Sequence, residues 1–184
     1  MKINLYALRA IYLHEMDRFR RTLTQSVLSP VLTTSLYFIV FGSVIGGYVE
    51  KIDGISYGSY IVPGLLMLTL LTQSISNTSF GIFFPKFNGT IYEILAAPIS
   101  TLEVVLAFVG AGATKTLIVS IIIFITSLFF VDVQVKYPLL MIFLLILVAF
   151  TFALFGFLIG LISSDFEQMS IIPTLFVTPM VFLG

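Results

Sequence analysis

The chain has 184 residues, 59% of them apolar and only 10% charged, with zero net charge and a mean hydropathy of +1.13. That composition excludes a soluble globular or a disordered domain. The balanced charge gives no support to nucleic acid as a partner, and the absence of cysteine removes disulfides and thiolate metal sites.

Residues 2–23 open the chain as a candidate amphipathic helix. Leu5, Leu8, Tyr12, Met16, Phe19 and Leu23 recur at three- and four-residue steps, while His14, Asp17, Arg18 and Arg21 fall on the opposite side. The pattern predicts a helix lying on the membrane surface with its arginines toward headgroups or a partner. A solvated leader that only sets topology is the plainer alternative. No apolar core with a small-residue cleavage site occurs in the first 21 residues, so no cleavable signal is expected.

Three stretches then lack any charge: between Arg21 and Glu50, between Asp53 and Lys86, and between Lys136 and Asp165. Each exceeds the roughly 20 residues that a helix needs to cross a bilayer. The spans are predicted at about 26–49, 59–84, a third ending near Val131, 137–163, and a fifth beginning near Met169. The fold class is therefore all-α, a polytopic helical membrane protein with an amino-terminal interface helix and about five transmembrane helices. The fifth run reaches Gly184 without a polar flank and reads as cut short, as in a fragment of a longer protein.

Within the second span lies a polar cluster, Thr72, Gln73, Ser74, Ser76, Asn77, Thr78 and Ser79. Lipid offers such groups no hydrogen-bond partners, so they face other helices or a wet cavity. Helix packing is the commoner cause; the functional reading makes Thr72, Gln73, Ser76 and Asn77 the lining of a transport pathway.

The loop after this span runs Lys86-Phe87-Asn88-Gly89-Thr90-Ile91-Tyr92-Glu93-Ile94-Leu95-Ala96-Ala97-Pro98. Thr90 with Glu93, and Ser100 with Glu103, have the spacing of capping boxes, and Pro98 disfavours helix at Ala97. The expectation is a separately capped helix of about two turns between two membrane helices, within 89–98. Ile91, Ile94 and Leu95 would share one face. A helix this short is not stable alone, so that face must dock on a membrane or a protein.

Lys115 lies in the otherwise apolar stretch Val104–Val131. An ionisable residue in a span is a functional candidate. Only 16 uncharged residues separate it from Asp132, however, so the favoured reading has it snorkelling into the cytoplasmic interface. Gly110, Gly112 and Ala113 beside it suit close helix packing. Asp165 and Glu167 are expected to cap the fifth helix.

The basic residues fix an expected orientation. Lys2, Arg9, Arg18, Arg20, Arg21 and Lys86 fall on one side and Lys51 and Lys136 on the other, which makes the amino terminus cytoplasmic. The sequence holds a single histidine, His14, and no Gly-Lys-Ser or Gly-Lys-Thr phosphate loop. Energised work would need nucleotide chemistry on another chain.

At this point the chain resembles the permease subunits of ABC-2 type ABC transporters, a bacterial export group. The resemblance covers essentially the whole chain. It is carried by Tyr37-Phe38-Ile39-Val40-Phe41-Gly42, by Tyr60-Ile61-Val62-Pro63-Gly64-Leu65, and by Pro173-Thr174-Leu175 with Thr178-Pro179. Its most specific part is Glu93-Ile94-Leu95 with Pro98 inside the stretch from Gly89.

The resemblance implies one ABC-2 transmembrane domain over 1–184, with six spans in a full-length member. It implies that residues 89–98 form a coupling helix, with Gly89, Thr90, Ile91, Glu93, Ile94, Leu95 and Pro98 contacting an ATPase subunit. It further implies an inner-membrane exporter that pairs as a homodimer, without a cofactor of its own, ATP and magnesium residing on the partner. The alternative weighed beside it is an ion-coupled secondary transporter with Lys115 as its charged centre. An intramembrane enzyme lacks a catalytic constellation.

Overall fold

In the computed structural model the described residues are 4–45, 51–52 and 54–183. They form seven α-helices: α1 (Leu5–Arg21), α2 (Leu23–Tyr37), α3 (Tyr57–Asn88), α4 (Ile91–Ala96), α5 (Thr101–Ser127), α6 (Pro138–Ile162) and α7 (Phe166–Leu183). A π-helical segment, Phe38–Ile45, continues α2, and Lys51–Ile52 pairs antiparallel with Ile55–Ser56 in a two-residue ribbon. The all-α membrane architecture read from the sequence is what the chain adopts.

Among the described residues four helices are long and apolar enough to cross a membrane: Leu23–Phe41, α3, α5 and α6. The fifth predicted span does form as α7. Its 18 residues include Pro173 and Pro179 and a polar first turn. At its start Glu167 lies in that first turn, as expected, and Asp165 directly precedes the helix, its carbonyl accepting from the Met169 N–H at 3.1 Å; the Ser164 N–H donates to Oε1 of Gln168 at 3.0 Å.

The centre of the molecule is α3 packed between α5 and α6. Small residues make this possible. Ala149, Ala153, Gly156 and Gly160 lie along one face of α6 and are buried. A methyl group added at Gly156 would stand 2.8 Å from the Cα of Ile75, and one at Gly160 would stand 3.0 Å from the Cα of Ser79. Backbones therefore touch along this seam, as small-residue stripes allow in membranes. Leu70, Ile82, Phe108, Val109 and Phe157 fill the core around it. The outer faces of α2 and α6, with Leu32, Leu36, Leu139, Phe143 and Leu158, are exposed and apolar, as lipid requires.

Polar contacts define two ends. At one, Ser59 Oγ donates to the Asp132 carbonyl at 2.9 Å. At the other, Lys86 Nζ donates to the carbonyls of Leu161 (2.7 Å) and Ser163 (2.8 Å), placing a cation on the last turn of α6. The loops expected on opposite sides of the membrane thus sit at opposite ends.

Candidate functional site

The site is built at the end that carries Lys86, where α1, α4 and the start of α5 meet. Gly89 makes the turn into it. It sits at φ +79°, a left-handed conformation that costs residues with a Cβ about 1–2 kcal/mol, and ends α3 there. The following α4 has only six residues. The capping box expected at Thr90 and Glu93 is absent. Thr90 has helical dihedrals (φ −68°, ψ −13°) instead of the extended ones a capping residue needs, and its hydroxyl donates to the Pro85 carbonyl at 3.4 Å. The exposed Pro98 does what was expected of it, leaving Ala97 extended at ψ 150°. The second box is formed: the Glu103 N–H donates to Ser100 Oγ and the Ser100 N–H to Glu103 Oε2.

The shared apolar face is also corrected. Ile91 and Ile94 turn inward, packing with Ile11 and Val105 on the core that contains Phe108 and Phe157. Leu95 is 67% exposed, as are Tyr92 (72%) and the Glu93 side chain beside them. The helix is thus bolted to its own chain by two isoleucines and presents Tyr92, Glu93 and Leu95 outward.

Helix α1 is docked rather than free. It runs alongside the first half of α5 in the same direction, joined at three places. The Asn4 N–H donates to Glu103 Oε1, Tyr12 OH donates to Thr114 Oγ1 at 3.1 Å, and Lys115 Nζ donates to Glu15 Oε2 at 2.7 Å. Leu8, Tyr12, Met16 and Phe19 of the predicted stripe are partly or fully buried, whereas Leu5 and Leu23 are exposed. The solvated-leader reading does not hold.

The snorkelling account of Lys115 is overturned as well. Lys115 and Glu15 are each only 3% exposed. Glu15 Oε2 also accepts from Arg18 Nη2 at 2.7 Å, and the Arg18 guanidinium lies 5.3 Å from the centre of the Phe80 ring. Gly81 leaves the room this cluster needs, since a methyl group there would stand 3.3 Å from Glu15 Oε2. Sequence reasoning passed over Glu15, although an acid set into the stripe four residues after Ile11 and four before Phe19 was a visible signal.

This cluster stands between two cavities. A groove of about 460 Å³ is lined by Ala10, Ile11, His14 and Glu15 of α1 together with Thr90, Glu93 and Ile94. A larger cavity of about 850 Å³ lies among α2, α3, α5 and α7, with Lys115, Thr72, Ser76, Asn77, Phe80 and Thr174 in its wall. Arg18 borders both.

The polar cluster of the second span divides accordingly. Thr72, Ser76 and Asn77 face the large cavity, and Gln73 stands behind, accepting from Asn77 Nδ2 at 3.3 Å. Ser79, though buried, also lines that cavity, whereas Ser74 and Thr78 are buried in helix contacts.

Comparison with known proteins agrees with this architecture. The family model for the ABC-2 type transporter matches residues 6–184. The inner membrane transport permease YadH of Escherichia coli K12 is 38% identical over 178 residues, covering 97% of this chain and 70% of that protein, and the permease of that name from Shigella flexneri gives the same figures. Nodulation protein J of Azorhizobium caulinodans is 21% identical over 176 residues, covering 95% of this chain and 69% of that protein. No solved structure matches. With its spans, its docked amino-terminal helix and a match over nearly its full length, the chain belongs to the ABC-2 type transporter family and is the membrane-spanning permease subunit of an ABC transporter.

Proposed function

We propose that this permease works as an exporter in a bacterial inner membrane, driven by ATP bound and hydrolysed on a separate ATPase subunit that docks at α4. The single observation that carries the reading is the construction of α4. Two of its apolar residues, Ile91 and Ile94, fix it to the core, while Tyr92, Glu93 and Leu95 stand out from the same short helix. A helix fixed on one side and exposed on the other transmits a push as a rigid body, with the Gly89 turn and Pro98 at its ends.

In this account two copies pair in the membrane and two ATPase subunits lie beneath them. The amino terminus and α4 face the cytoplasm, which the excess of basic residues at that end supports. ATP and magnesium belong to the ATPase, and this chain contributes no cofactor. Closure of the ATPases would move α4 and the α1–α5 pair together, rocking the spans around the large cavity, whose Thr72, Ser76 and Asn77 wall forms part of the pathway.

The test is co-purification of the ATPase with the full-length permease carrying Tyr92→Ala and Leu95→Ala. Truncating side chains at the centre of a docking interface costs about 1–2 kcal/mol each or more, so association should fall at least tenfold while the permease stays folded. Undiminished association and substrate-stimulated ATP hydrolysis would remove α4 as the docking element.

A further inference from the structure

We propose that the large cavity binds an amphiphile through an anionic head, a phosphate or a carboxylate, held by Lys115 and Arg18. The inference deepens the pathway reading given above and rests on it for the cavity's role, but not for its chemistry.

An ammonium group has three N–H donors, and among the described residues Lys115 uses one of them, toward Glu15 at 2.7 Å. The other two belong to a side chain 97% removed from solvent, in the wall of a cavity of about 850 Å³. Arg18 likewise directs one Nη2 bond to the same Glu15 oxygen. Two cations share one carboxylate, so the cluster carries a net charge of +1.

The carboxylate lies on the groove side, and among the described residues no aspartate or glutamate lines the large cavity. The charge presented to it is thus positive, carried by a buried Lys115 and by Arg18 with a quarter of its side chain exposed, and burial strengthens a charge-assisted hydrogen bond to an anion. In the same wall, Gln25 and Ser76 offer further hydrogen-bond donors. Beyond them, Phe19, Leu68, Phe80 and Val177 supply an apolar wall. An anionic head with an apolar body fits both parts. A cationic amphiphile would meet Lys115 and Arg18 with no acid to receive it.

The test is binding of radiolabelled dodecyl phosphate to full-length permease in phosphatidylcholine nanodiscs, without nucleotide, with competitors that share the dodecyl chain. Dodecyl phosphate itself should displace the label at least about tenfold better than dodecyltrimethylammonium or dodecyl maltoside, the scale of a buried charge contact. The double swap Glu15→Lys with Lys115→Glu keeps the ion pair and the net charge but turns the acid to the cavity. It should weaken phosphate binding at least about tenfold.

Displacement by inorganic phosphate would identify a soluble anion as the ligand, and failure to displace would identify an amphiphile; either keeps the anion site. Equal competition by the three head groups, or a swap that binds phosphate as the unaltered protein does, would overturn it. Should the swap not fold, the head-group ranking on the unaltered protein decides alone. No ATPase is involved, so a negative result here leaves the α4 docking reading standing, and loss of docking at α4 leaves this one standing.

Discussion

Lys115 shows what a single residue's surroundings do to its meaning. On the sequence it stands near the end of an apolar run, where a snorkelling lysine is the economical reading. Its partner Glu15 lies 100 positions away, and only the packing of α1 on α5 brings the two to 2.7 Å. A buried ion pair adds little net stability, but removing one partner strands the other and costs about 3–5 kcal/mol. Glu15→Ala and Lys115→Ala should each lower the thermal midpoint of the purified permease sharply, and the swap of the two residues should restore most of the loss. If both single variants melt like the unaltered protein, the pair does not hold α1 to α5. The burial of this lysine also offers nothing that favours an ion-coupled carrier. Gly89 was legible as a turn residue, but its helical neighbour Thr90 was not, because a capping box read from spacing presupposes an extended capping residue. With φ at +79°, Gly89→Ala should cost about 1–2 kcal/mol and displace α4, read as reduced stability together with reduced ATPase association.

At the level of elements, the long helices were readable because charge is absent over stretches long enough to span a bilayer. For the later spans the predicted and observed limits differ by only a few residues; the predicted end of the first span, 46–49, lies outside the described residues. What sequence could not assign was the direction of each face. Ile91, Ile94 and Leu95 are close neighbours on a six-residue helix, and which of them turns inward depends on Ile11 and Phe108, supplied by other elements. The α3–α6 seam is a different kind of omission. Gly156 and Gly160 stand in the sequence as a small-xxx-small pair, yet the surrounding run is so apolar that it reads as a lipid-facing helix. Their backbones meet Ile75 and Ser79 without room for a side chain. Gly160→Val should therefore destabilise the fold by about 1–3 kcal/mol or more through overpacking, seen as a lowered thermal midpoint and loss of the monodisperse peak. Gly64, where an added methyl group meets nothing within 4 Å, is the control position and should tolerate alanine far better.

Across the whole molecule, the alternation of loops between two ends was legible from the spans, and the structure bonds Ser59 to Asp132 at one end and Lys86 to the close of α6 at the other. These 184 residues contain no cysteine; in a full-length permease freed of any other cysteine, Asn88→Cys and Asp132→Cys should react with an impermeant maleimide from opposite faces, Asn88 from the cytoplasm. Labelling of both from one face would contradict the orientation. The account depends most on α4 as the point where ATPase movement enters the membrane subunit. Leu95→Cys, carrying a photoreactive maleimide in the full-length permease expressed with its ATPase, measures that contact directly. The prediction is a cross-link to the ATPase from Leu95→Cys and none from Asp132→Cys. An ATPase that co-purifies but cross-links only from positions away from α4 would contradict it.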